Sequence, residues 1–563
     1  MSDSKPISSH NAPIQTADVT KAVLSTDIES GLYQIPSQKE GQVENIIQVE
    51  TVRGLKPRHT QMIAIGGAIG TGLFIGSGES LSIGGPLFLL LGYSLLTLLV
   101  FCIVTATTEF SSFLPVRGSS VAYFGHRFAS SSMGFALGWM YYYVFAIMVP
   151  SEITAAALVI DYWPSSVNIA VWITIMLVVI VGLNCFPVNV YGETEFWFAS
   201  IKVIGIVGLF IMALVITCGG APNRKAIGFA YWHSPGATNE YIVSGASGRL
   251  VAFIATLRFS VYIFAFTPEL LVITAGEMQN PRQNLPTAGR RFFIRLVIFY
   301  ILGAFLIGLI CPSNNNQLLG SSSSDASASP WAIAAKDAGI KGLDSVINVV
   351  ILLSAWSAGN SWLYLATRTL YSMATLGTAP KIFKRCTASG VPYMSLGFTS
   401  LFSLLAYMNV SSSAATVFNW FVNLVNSGAY VSWVCVCVIY IRFRRAMASQ
   451  GLDVAELPYR SRFQPYAAYF AGCVIFLLLW LNGFTVFFPG QWDTSTFVTS
   501  YVGVPIFVVF YLGHRLYTGW EGAWLIPCEE VDLVTGIAEI VAAELPTSRR
   551  TGRWSKGFGF LLG

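Results

Sequence analysis

The sequence predicts an all-α integral membrane protein with about twelve transmembrane helices. Of its 563 residues, 54% are hydrophobic and only 11% are charged, whereas soluble domains carry roughly 25% charged residues. Apolar stretches of about 20 residues, the length that crosses a bilayer, recur along the chain. Two of these stretches, the first and the sixth, are predicted to be broken helices because of their glycines and of Pro268, respectively.

The apolar stretches leave a polar tail at each end of the chain. Residues 1–57 are rich in Ser, Gln, Asp and Glu and contain few aromatic residues, so we predict a disordered N-terminal tail. A membrane domain of residues 58–515 follows, and residues 516–563 form a C-terminal tail. The predicted spans lie near residues 60–82, 86–110, 134–160, 168–186, 196–218, 248–276, 292–311, 343–373, 394–410, 415–441, 466–488 and 496–514.

The distribution of basic residues predicts that both termini face the cytosol. An even number of spans places both ends on one side of the membrane. The loops predicted on that side hold most of the loop Lys and Arg residues, for example Arg290, Arg291, Lys384 and Arg444, and the positive-inside rule makes that side cytosolic. The net charge of +5 is spread over such short clusters and indicates no nucleic-acid partner.

Glycine interrupts the first predicted span. A glycine in a helix interior costs about 1 kcal/mol relative to alanine, and lipid cannot hydrogen-bond the backbone that is freed. Irregular backbone at this depth is therefore expected only beside a protected cavity, and we predict that the helix opens near Ala68–Thr71. The alternative is that the glycines allow tight helix packing. The glycines are Gly66, Gly67, Gly70, Gly72, Gly76 and Gly78.

A proline interrupts the sixth predicted span. Pro268 removes one backbone hydrogen bond and crowds the preceding turn, so the helix is predicted to open between Phe264 and Glu269. Interruptions five helices apart indicate two five-helix halves of opposite orientation, about residues 58–220 and 246–441, each giving one unwound segment to a site at the membrane midplane. The alternative is an ordinary proline kink.

Four charged residues lie inside otherwise apolar stretches: Glu152, Lys202, Arg258 and Glu269. An ionisable group at that depth costs a few kcal/mol or more unless it is paired or faces water, so each is a candidate functional residue. Glu269 lies at the predicted break of the sixth span, where a buried carboxylate suits the uptake and release of a proton. The alternative for Glu269 is a structural ion pair that holds the break open.

The other three charges also allow two interpretations each. Lys202 follows Glu195 by two helical turns and lies on nearly the same face, so it either acts with the interrupted spans or snorkels to the cytosolic interface. Glu152 either lines a pathway or pairs with a neighbouring helix. Arg258 lies near the outer end of its span and either attracts a carboxylate or snorkels outwards.

Six long motifs occur in an order that resembles the fungal amino acid permeases, the yeast amino acid transporter group within the amino acid-polyamine-organocation superfamily. The motifs cover most of the membrane domain. They are GLKPRHTQMIAIGGAIGTGLFIGSG at 54–78, GFALGWMYYYVFAIMVPSEITAA at 134–156, YGETEFWFASIKVIGIVGL at 191–209, AGEMQNPRQNLPTA at 275–288, SAWSAGNSWLYLATRTLYSMA at 354–374, and VFNWFVNLVNSG with IRFRRAMASQG at 417–428 and 441–451.

The resemblance implies twelve helices in the leucine-transporter-like arrangement and proton-driven uptake of amino acids across a fungal plasma membrane. It implies that Glu269 and Glu152 occupy family positions, and that Lys202 supplies a fixed positive charge in place of a bound sodium ion, as in some bacterial relatives. The segment FAFTPE departs from the family, since relatives usually carry a small, glycine-containing stretch where this chain has Thr267 and Pro268. Arg258 departs as well, so we expect a pocket of altered shape.

An amino acid is a zwitterion, and the two predicted breaks offer groups for both of its charges. Backbone amides of the first span suit the carboxylate, and carbonyl groups of the sixth suit the ammonium group. The rings of Phe264 and Phe266 either close over the substrate or pack in the core. The predicted binding residues are Ile65, Gly66, Ala68, Ile69, Gly70, Thr71, Gly72, Phe264, Ala265, Phe266 and Thr267. Glu269, Lys202 and Glu152 are assigned to proton coupling, and Arg258, Trp356, Asn423, Asn426 and Ser427 to selectivity.

The sequence argues against a pump and against an enzyme. The phosphate-binding pattern G-x-x-x-x-G-K-S/T of a nucleotide site is absent, and the five histidines form no catalytic grouping. We therefore predict no catalytic residue, cofactor or metal. The expected partners are an amino acid, protons, the lipid bilayer and cytosolic regulators of the tails. The remaining rival is a non-transporting amino acid sensor of the same family.

Two segments outside the spans are left with two interpretations each. Residues 331–344 follow a polar outer loop and form either a short external helix or a solvated loop. Residues 526–545 form either an amphipathic cytosolic helix that docks on the protein or a partner, or a flexible tail.

Overall fold

A computed structural model describes residues 70–115, 120–163, 166–266, 268–269, 272, 280–318, 329–520 and 523–537. The predicted N-terminal tail, residues 1–57, lies outside these ranges. All of these described residues belong to one compact unit, and its architecture is helical. The helices are α1 (Ser77–Phe113), α2 (Val121–Phe128), α3 (Ser131–Ile160), α4 (Ile169–Asn184), α5 (Val188–Thr217), α6 (Gly245–Phe264), α7 (Pro281–Leu296), α8 (Leu302–Ile310), α9 (Pro330–Asp337), α10 (Leu343–Thr375), α11 (Tyr393–Ser403), α12 (Ala414–Ser449), α13 (Tyr466–Leu481), α14 (Thr494–Tyr501) and α15 (Gly503–Thr518).

Each predicted span contains helix within the described chain, and this confirms the all-helical membrane class. Seven helical segments of the described chain are long and apolar enough to cross a bilayer, and one of them, Pro281–Ile310, combines α7 and α8. The count rises to eight if α14 and α15, which meet at an angle of 44°, form one span. The apolar helices α4 and α13 have only 16 residues each, and a 3-10 segment, Leu404–Val410, continues α11. The count of twelve and the inverted repeat stay predictions.

One helical segment, interrupted once, runs from Gly72 through the described part of the first predicted span and along the whole of the second. A π-helical turn, Gly72–Gly76, leads into α1, and Gly85 interrupts α1 with a φ of 78° and a ψ of 176°. A Cβ at Gly85 would lie 2.9 Å from the carbonyl oxygen of Ala237, so both the backbone angle and the close contact require glycine. The chain therefore bends at Gly85 rather than running straight.

Helix α3 forms the centre of the bundle. In its most apolar window 94% of the residues are buried, as expected for a helix that is apolar on all sides. It packs against α2, α10, α12 and α15, while α1 packs against α6 and α7. A Cβ at Gly428 of α12 would lie 2.3 Å from the side chain of Val144, so this glycine allows α12 to approach α3 closely. In contrast, α5 exposes Ile204 and Ile211, a composition that suits contact with lipid.

Residues 330–337 form the predicted external helix, here α9. Trp331 is fully buried, and the hydroxyl of Ser329 donates a 2.6 Å hydrogen bond to the carbonyl oxygen of Phe74. The side chain of Pro330 lies against Gly78. This segment is therefore a helix that packs on the C-terminal half of the first predicted span and not a solvated loop.

The C-terminal segment 523–537 docks on the bundle. Its amide at Ile526 donates to the carbonyl oxygen of Ala129 over 2.9 Å, and Arg442 donates to Phe128 and Ile526. Arg127 forms a 3.1 Å ion pair with Asp532. Residues 523–536 dock on the bundle without forming a helix. Of the two open interpretations of residues 526–545, the docking is therefore found over the described part, and the amphipathic helix is not.

Candidate functional site

Helix α6 ends inside its predicted span. Its last residue is Phe264, Ala265 has a ψ of 133°, and Phe266 has a φ of 60°. A positive φ at a residue other than glycine costs on the order of 1–3 kcal/mol. Pro268 and Glu269 are helical again, whereas Thr267 lies outside the described residues. A proline lacks an amide, and its ring crowds the carbonyl group four residues before it; for Pro268 that residue is Phe264, the last of α6.

The described part of the first span lies against this helix end. Ile65, Gly66, Ala68 and Ile69 fall outside the described residues, so only Gly70, Thr71 and Gly72 of the predicted binding set are placed here. A Cβ at Gly72 would lie 2.8 Å from the side chain and 3.2 Å from the Cα of Ile263. The missing side chain therefore lets the two backbones meet, next to the end of α6.

Glu152 of α3 reaches the same place. The hydroxyl of Thr71 donates a 2.7 Å hydrogen bond to Oε2 of Glu152, and a Cβ at Gly70 would lie 3.6 Å from its Oε1. Glu152 is only 2% exposed. Tyr262 of α6 is also nearby, since its hydroxyl lies 2.8 Å from that of Ser151. A buried carboxylate thus contacts the first span directly and lies beside α6.

Lys202 of α5 lies between two buried carboxylates. It is 1% exposed, so it does not snorkel to the interface. Its charge interacts more strongly with Glu195 than with Glu152. Glu195 is fully buried, and both of its oxygens lie 3.0 Å from the hydroxyl of Ser357 on α10. Buried charges require such partners because their desolvation is costly.

We call Thr71, Glu152, Lys202, Glu195 and Ser357 the buried charge network. Its members come from the first span, α3, α5 and α10, so it joins four parts of the bundle that are distant in sequence. The sequence predicts Glu152 and Lys202 as separate candidates. The interaction of Lys202 with Glu152 and the bond from Ser357 to Glu195 depend on tertiary packing, which no local pattern contains.

Glu269 lies apart from this network in the hydrogen-bonding pattern. Its Oε1 accepts a hydrogen bond of 3.3 Å from the hydroxyl of Tyr141 on α3. Its Oε2 has no hydrogen-bond partner among the described residues, although the side chain is only 2% exposed. A buried oxygen left unpaired costs roughly 1–3 kcal/mol. Glu269 is therefore a buried carboxylate that contacts the central helix α3, five residues after the end of α6.

The rings next to the helix end are packed. Phe264 is fully buried between Tyr93 and Tyr300, with centroid distances of 6.0 and 4.5 Å. Phe266 is fully buried against Tyr141 and Phe145, at 5.8 and 5.3 Å. In this conformation both rings are core residues, and the gate hypothesis stays a prediction.

The predicted selectivity residues divide into two groups. Asn426 reaches α6, because its amide donates over 2.7 Å to the carbonyl oxygen of Arg258. Arg258 is partly buried and lies over the ring of Phe259 at 4.3 Å. The other three contact neighbouring helices or their own helix. Asn423 lies 3.4 Å from Thr499, Ser427 donates to Leu424 of its own helix, and Trp356 packs on Phe198.

Sequence reasoning missed two buried carboxylates. Glu79 is 4% exposed and lies 3.4 Å from the amide of Asn419, and Glu109 is fully buried and pairs with Arg444 at 3.1 Å. Both lie within the predicted spans 60–82 and 86–110. The criterion that singles out Glu152, a charge inside an apolar stretch, applies to both of them equally.

Comparisons with known proteins agree with this architecture. Residues 59–526 match the family model described as amino acid permease. The chain is 43% identical over 511 residues to the proline-specific permease of Emericella nidulans, with 90% of this chain and 92% of that protein covered. It is 46% identical over 483 residues to a probable proline-specific permease of Schizosaccharomyces pombe, with 85% and 87% covered.

A solved transporter shares the fold. The crystal structure of a manganese transporter from Eremococcus coleocola superposes with a TM-score of 0.51 at 13% sequence identity, and the match covers 84% of this chain and 96% of that one. At this identity the similarity shows the fold alone. It supports a leucine-transporter-like helical arrangement and says nothing about the substrate.

Proposed function

Because this chain belongs to the amino acid permease family, we propose that it is a secondary active transporter that imports amino acids together with protons by alternating access. The family prediction is confirmed, and the named relatives are permeases and not enzymes. One observation carries the proposal: α6 ends at Phe264 beside Gly72 and Thr71 of the first span, where Glu152 is buried. A helix end, a glycine-rich segment and a carboxylate meet at one place within the bundle.

The backbone at this place supplies groups for the head group of an amino acid. Carbonyl groups of Phe264, Ala265 and Phe266 lie where α6 has stopped, and they suit the ammonium group of the substrate. Amides of residues 65–72 suit the carboxylate, because the N-terminal end of a helix segment carries a partial positive charge. Recognition by backbone explains how one scaffold serves amino acids with different side chains.

The buried charge network supports proton coupling by simple charge counting. Two carboxylates, Glu152 and Glu195, surround one ammonium group, Lys202. With all three ionised the network has a net negative charge inside the bundle, and one proton on a carboxylate makes it neutral. Burial disfavours the uncompensated charge. Binding of a proton therefore stabilises the buried charge network.

Glu269 is the second proposed proton-binding group. It lies five residues after the end of α6 and contacts Tyr141 of the central helix α3, so movement of the sixth span relative to α3 changes its surroundings. A carboxylate in a buried and incompletely paired position takes up a proton more readily than one in water. Alternating exposure of Glu269 to the two sides of the membrane would couple proton movement to transport.

We propose proline as the first substrate to test. The relatives from Emericella nidulans and Schizosaccharomyces pombe are named as proline-specific permeases. The surroundings of the α6 end are aromatic and fully buried, with Phe264, Phe266 and Tyr93 among them, and they suit an apolar pyrrolidine ring. We also propose the plasma membrane as the location, with both termini cytosolic, on the basis of the loop charges.

Uptake of radiolabelled L-proline in cells that lack their own amino acid permeases tests the proposal. We expect concentrative uptake that is faster at external pH 5 than at pH 7, is abolished by a protonophore and is unchanged when the impermeant cation choline replaces sodium. Competition by the other common amino acids gives the specificity. A sensor of the same family would signal without accumulating label, and uptake that requires sodium would contradict the role of Lys202.

A further inference from the structure

A cavity of about 420 Å³ lies away from the residues assigned to amino acids and protons. It lies between the second half of α1, residues 286–293 of α7 and the loop of residues 450–465 that joins α12 to α13. Its volume falls within the range of roughly 300–1,000 Å³ that is usual for ligand pockets. The residues that carry the argument are Phe101, Thr108, Thr287, Arg290, Phe293 and Tyr459.

One wall of the cavity is held in place by a buried carboxylate. Glu109 accepts hydrogen bonds from the hydroxyl of Tyr440, from Arg444 at 3.1 Å and from the amide of Ser461 at 2.7 Å. The amide of Gln464 also donates to the carbonyl oxygen of Cys102 over 2.8 Å. These bonds fix the loop of Tyr459 to α1. The cavity is therefore preformed and does not result from a loose loop.

The cavity has an apolar floor and a basic rim. Phe101 and Phe293 pack together on the floor with centroids 4.6 Å apart. Arg290 is exposed at the rim, and it has no acidic partner within the described chain. Two further basic residues, Arg460 and Arg462, are exposed on the loop beside Tyr459. Such a pocket suits an amphipathic ligand with an anionic head.

The surroundings place this rim at the membrane interface. Phe463 is 62% exposed, and the centroid of its ring lies 6.2 Å from that of Phe101. Tyr466 is 81% exposed. Exposed aromatic residues at a helix end are typical of the level of the lipid headgroups. A water-soluble anion would use the arginines alone, whereas these rings and the apolar floor have a use only when the ligand is a lipid.

We propose that this cavity binds an anionic phospholipid of the cytosolic leaflet. The phosphate group lies at Arg290 and the hydroxyl of Tyr459, and one acyl chain crosses Phe101 and Phe293. Basic pockets between membrane helices on the cytosolic side are known to take such head groups. A lipid at this position touches α1, α7 and the loop before α13, and it stabilises their packing.

Lipid titration of the purified full-length protein tests the site. The thermal midpoint in detergent is measured in three separate titrations. The additions are phosphatidylserine, phosphatidylcholine, and the soluble compounds glycerophosphoserine and inorganic phosphate. We expect a saturable stabilisation by phosphatidylserine only. In Arg290→Gln the apparent affinity should fall about fivefold, the usual contribution of one basic residue at an anionic surface. Arg385→Gln is the matched control, because it removes one exposed cytosolic charge outside the cavity.

A second variant separates binding from charge. Thr287→Phe fills the cavity without changing any charge and should abolish the saturable part of the titration, and it decides the matter alone if Arg290→Gln does not fold. The proposal is overturned if phosphatidylcholine or the soluble compounds give the same stabilisation. It is also overturned if Arg290→Gln or Thr287→Phe titrates with phosphatidylserine as the wild type does.

Discussion

The hydroxyl of Thr71 donates a 2.7 Å hydrogen bond to the carboxylate of Glu152. This bond joins the glycine-rich first span to the central helix α3. It connects the proposed substrate site to the buried charge network, because Glu152 also interacts with Lys202. A movement of the first span during transport must change the surroundings of Glu152, and through them the charge balance around Lys202.

Thr71→Val should reduce transport sharply. The substitution keeps the shape of the side chain but leaves a buried carboxylate oxygen without its donor, at a cost of roughly 1–3 kcal/mol. A change of that size corresponds to a loss of roughly five- to 150-fold in proline uptake at subsaturating concentration. Thr71→Ser retains the hydroxyl and is the matched control. Equal uptake by both variants would show that the bond has no part in transport.

Glu269→Gln should abolish concentrative uptake but preserve exchange. The amide cannot carry a proton, while its size and one hydrogen-bond acceptor for Tyr141 remain. We expect that preloaded vesicles still exchange labelled for unlabelled proline, and that an imposed pH gradient no longer drives accumulation. Glu530→Gln, an exposed carboxylate on the C-terminal segment, should behave as the wild type. Full accumulation by Glu269→Gln would remove Glu269 from the coupling mechanism.

Lys202→Met should destabilise the folded protein, and Glu195→Gln should restore part of the loss. Removal of one partner from a buried charge pair costs about 3–5 kcal/mol, since the other charge stays uncompensated. The double variant removes one charge of each sign and therefore leaves fewer buried charges unpaired. The thermal midpoints of the single and double variants measure the coupling. Strictly additive midpoints would mean that Lys202 and Glu195 do not interact.

Gly72→Ala should disturb the contact between the first span and α6. Its Cβ would lie 2.8 Å from the side chain and 3.2 Å from the Cα of Ile263, and overpacking of this kind typically costs about 1–3 kcal/mol. We expect a lower thermal midpoint and weaker proline uptake. Gly208→Ala on α5 is the control, because nothing lies within 4 Å of its Cβ. Unchanged stability and uptake in Gly72→Ala would show that the close approach is unimportant.

The docked C-terminal segment should lose a contribution to stability in acid. Partial burial alone would raise the pKa of Asp532, but hydrogen bonds from Thr535 and the charge of Arg127 outweigh it and lower the pKa below its ordinary value of 3.8. The stabilisation by this carboxylate is therefore complete at a pH above its ordinary pKa and disappears as the pH falls through its lowered pKa.

Thermal unfolding of the wild type and Asp532→Asn across this range measures that contribution. The wild type should have the higher midpoint at pH 6, and the difference should shrink below pH 3.8. A difference that grows in acid would reverse the sign of the expected linkage.

Much of the helical arrangement follows from the sequence because lipid imposes simple requirements. Apolar stretches locate the helices, and Pro268 locates the end of α6, since a missing amide and a crowded carbonyl group act locally. A charge inside an apolar stretch is costly in lipid unless it is paired or faces water, and this criterion identifies Glu152 and Lys202. Glu79 and Glu109 are also charges inside apolar stretches, so the same criterion applies to them.

Side-chain direction and tertiary partners do not follow from the sequence. Helices α10 and α12 are apolar on several sides, so hydrophobic phase does not show which way Trp356, Asn423 and Ser427 point. The C-terminal segment illustrates a second difficulty. Its amphipathic pattern predicts a helix, but Arg127, Arg442 and Gln450 hold its backbone carbonyl groups in the docked form.

The most direct test of the account is simultaneous measurement of proton and proline movement. Purified protein is placed in liposomes with a pH-sensitive dye inside, and labelled L-proline is supplied outside at a lower pH. We expect that proline accumulates above its external concentration and that each pulse of proline acidifies the interior. Both effects should be lost in Glu269→Gln. Proline that equilibrates without accumulation and without acidification in the wild type would contradict the account.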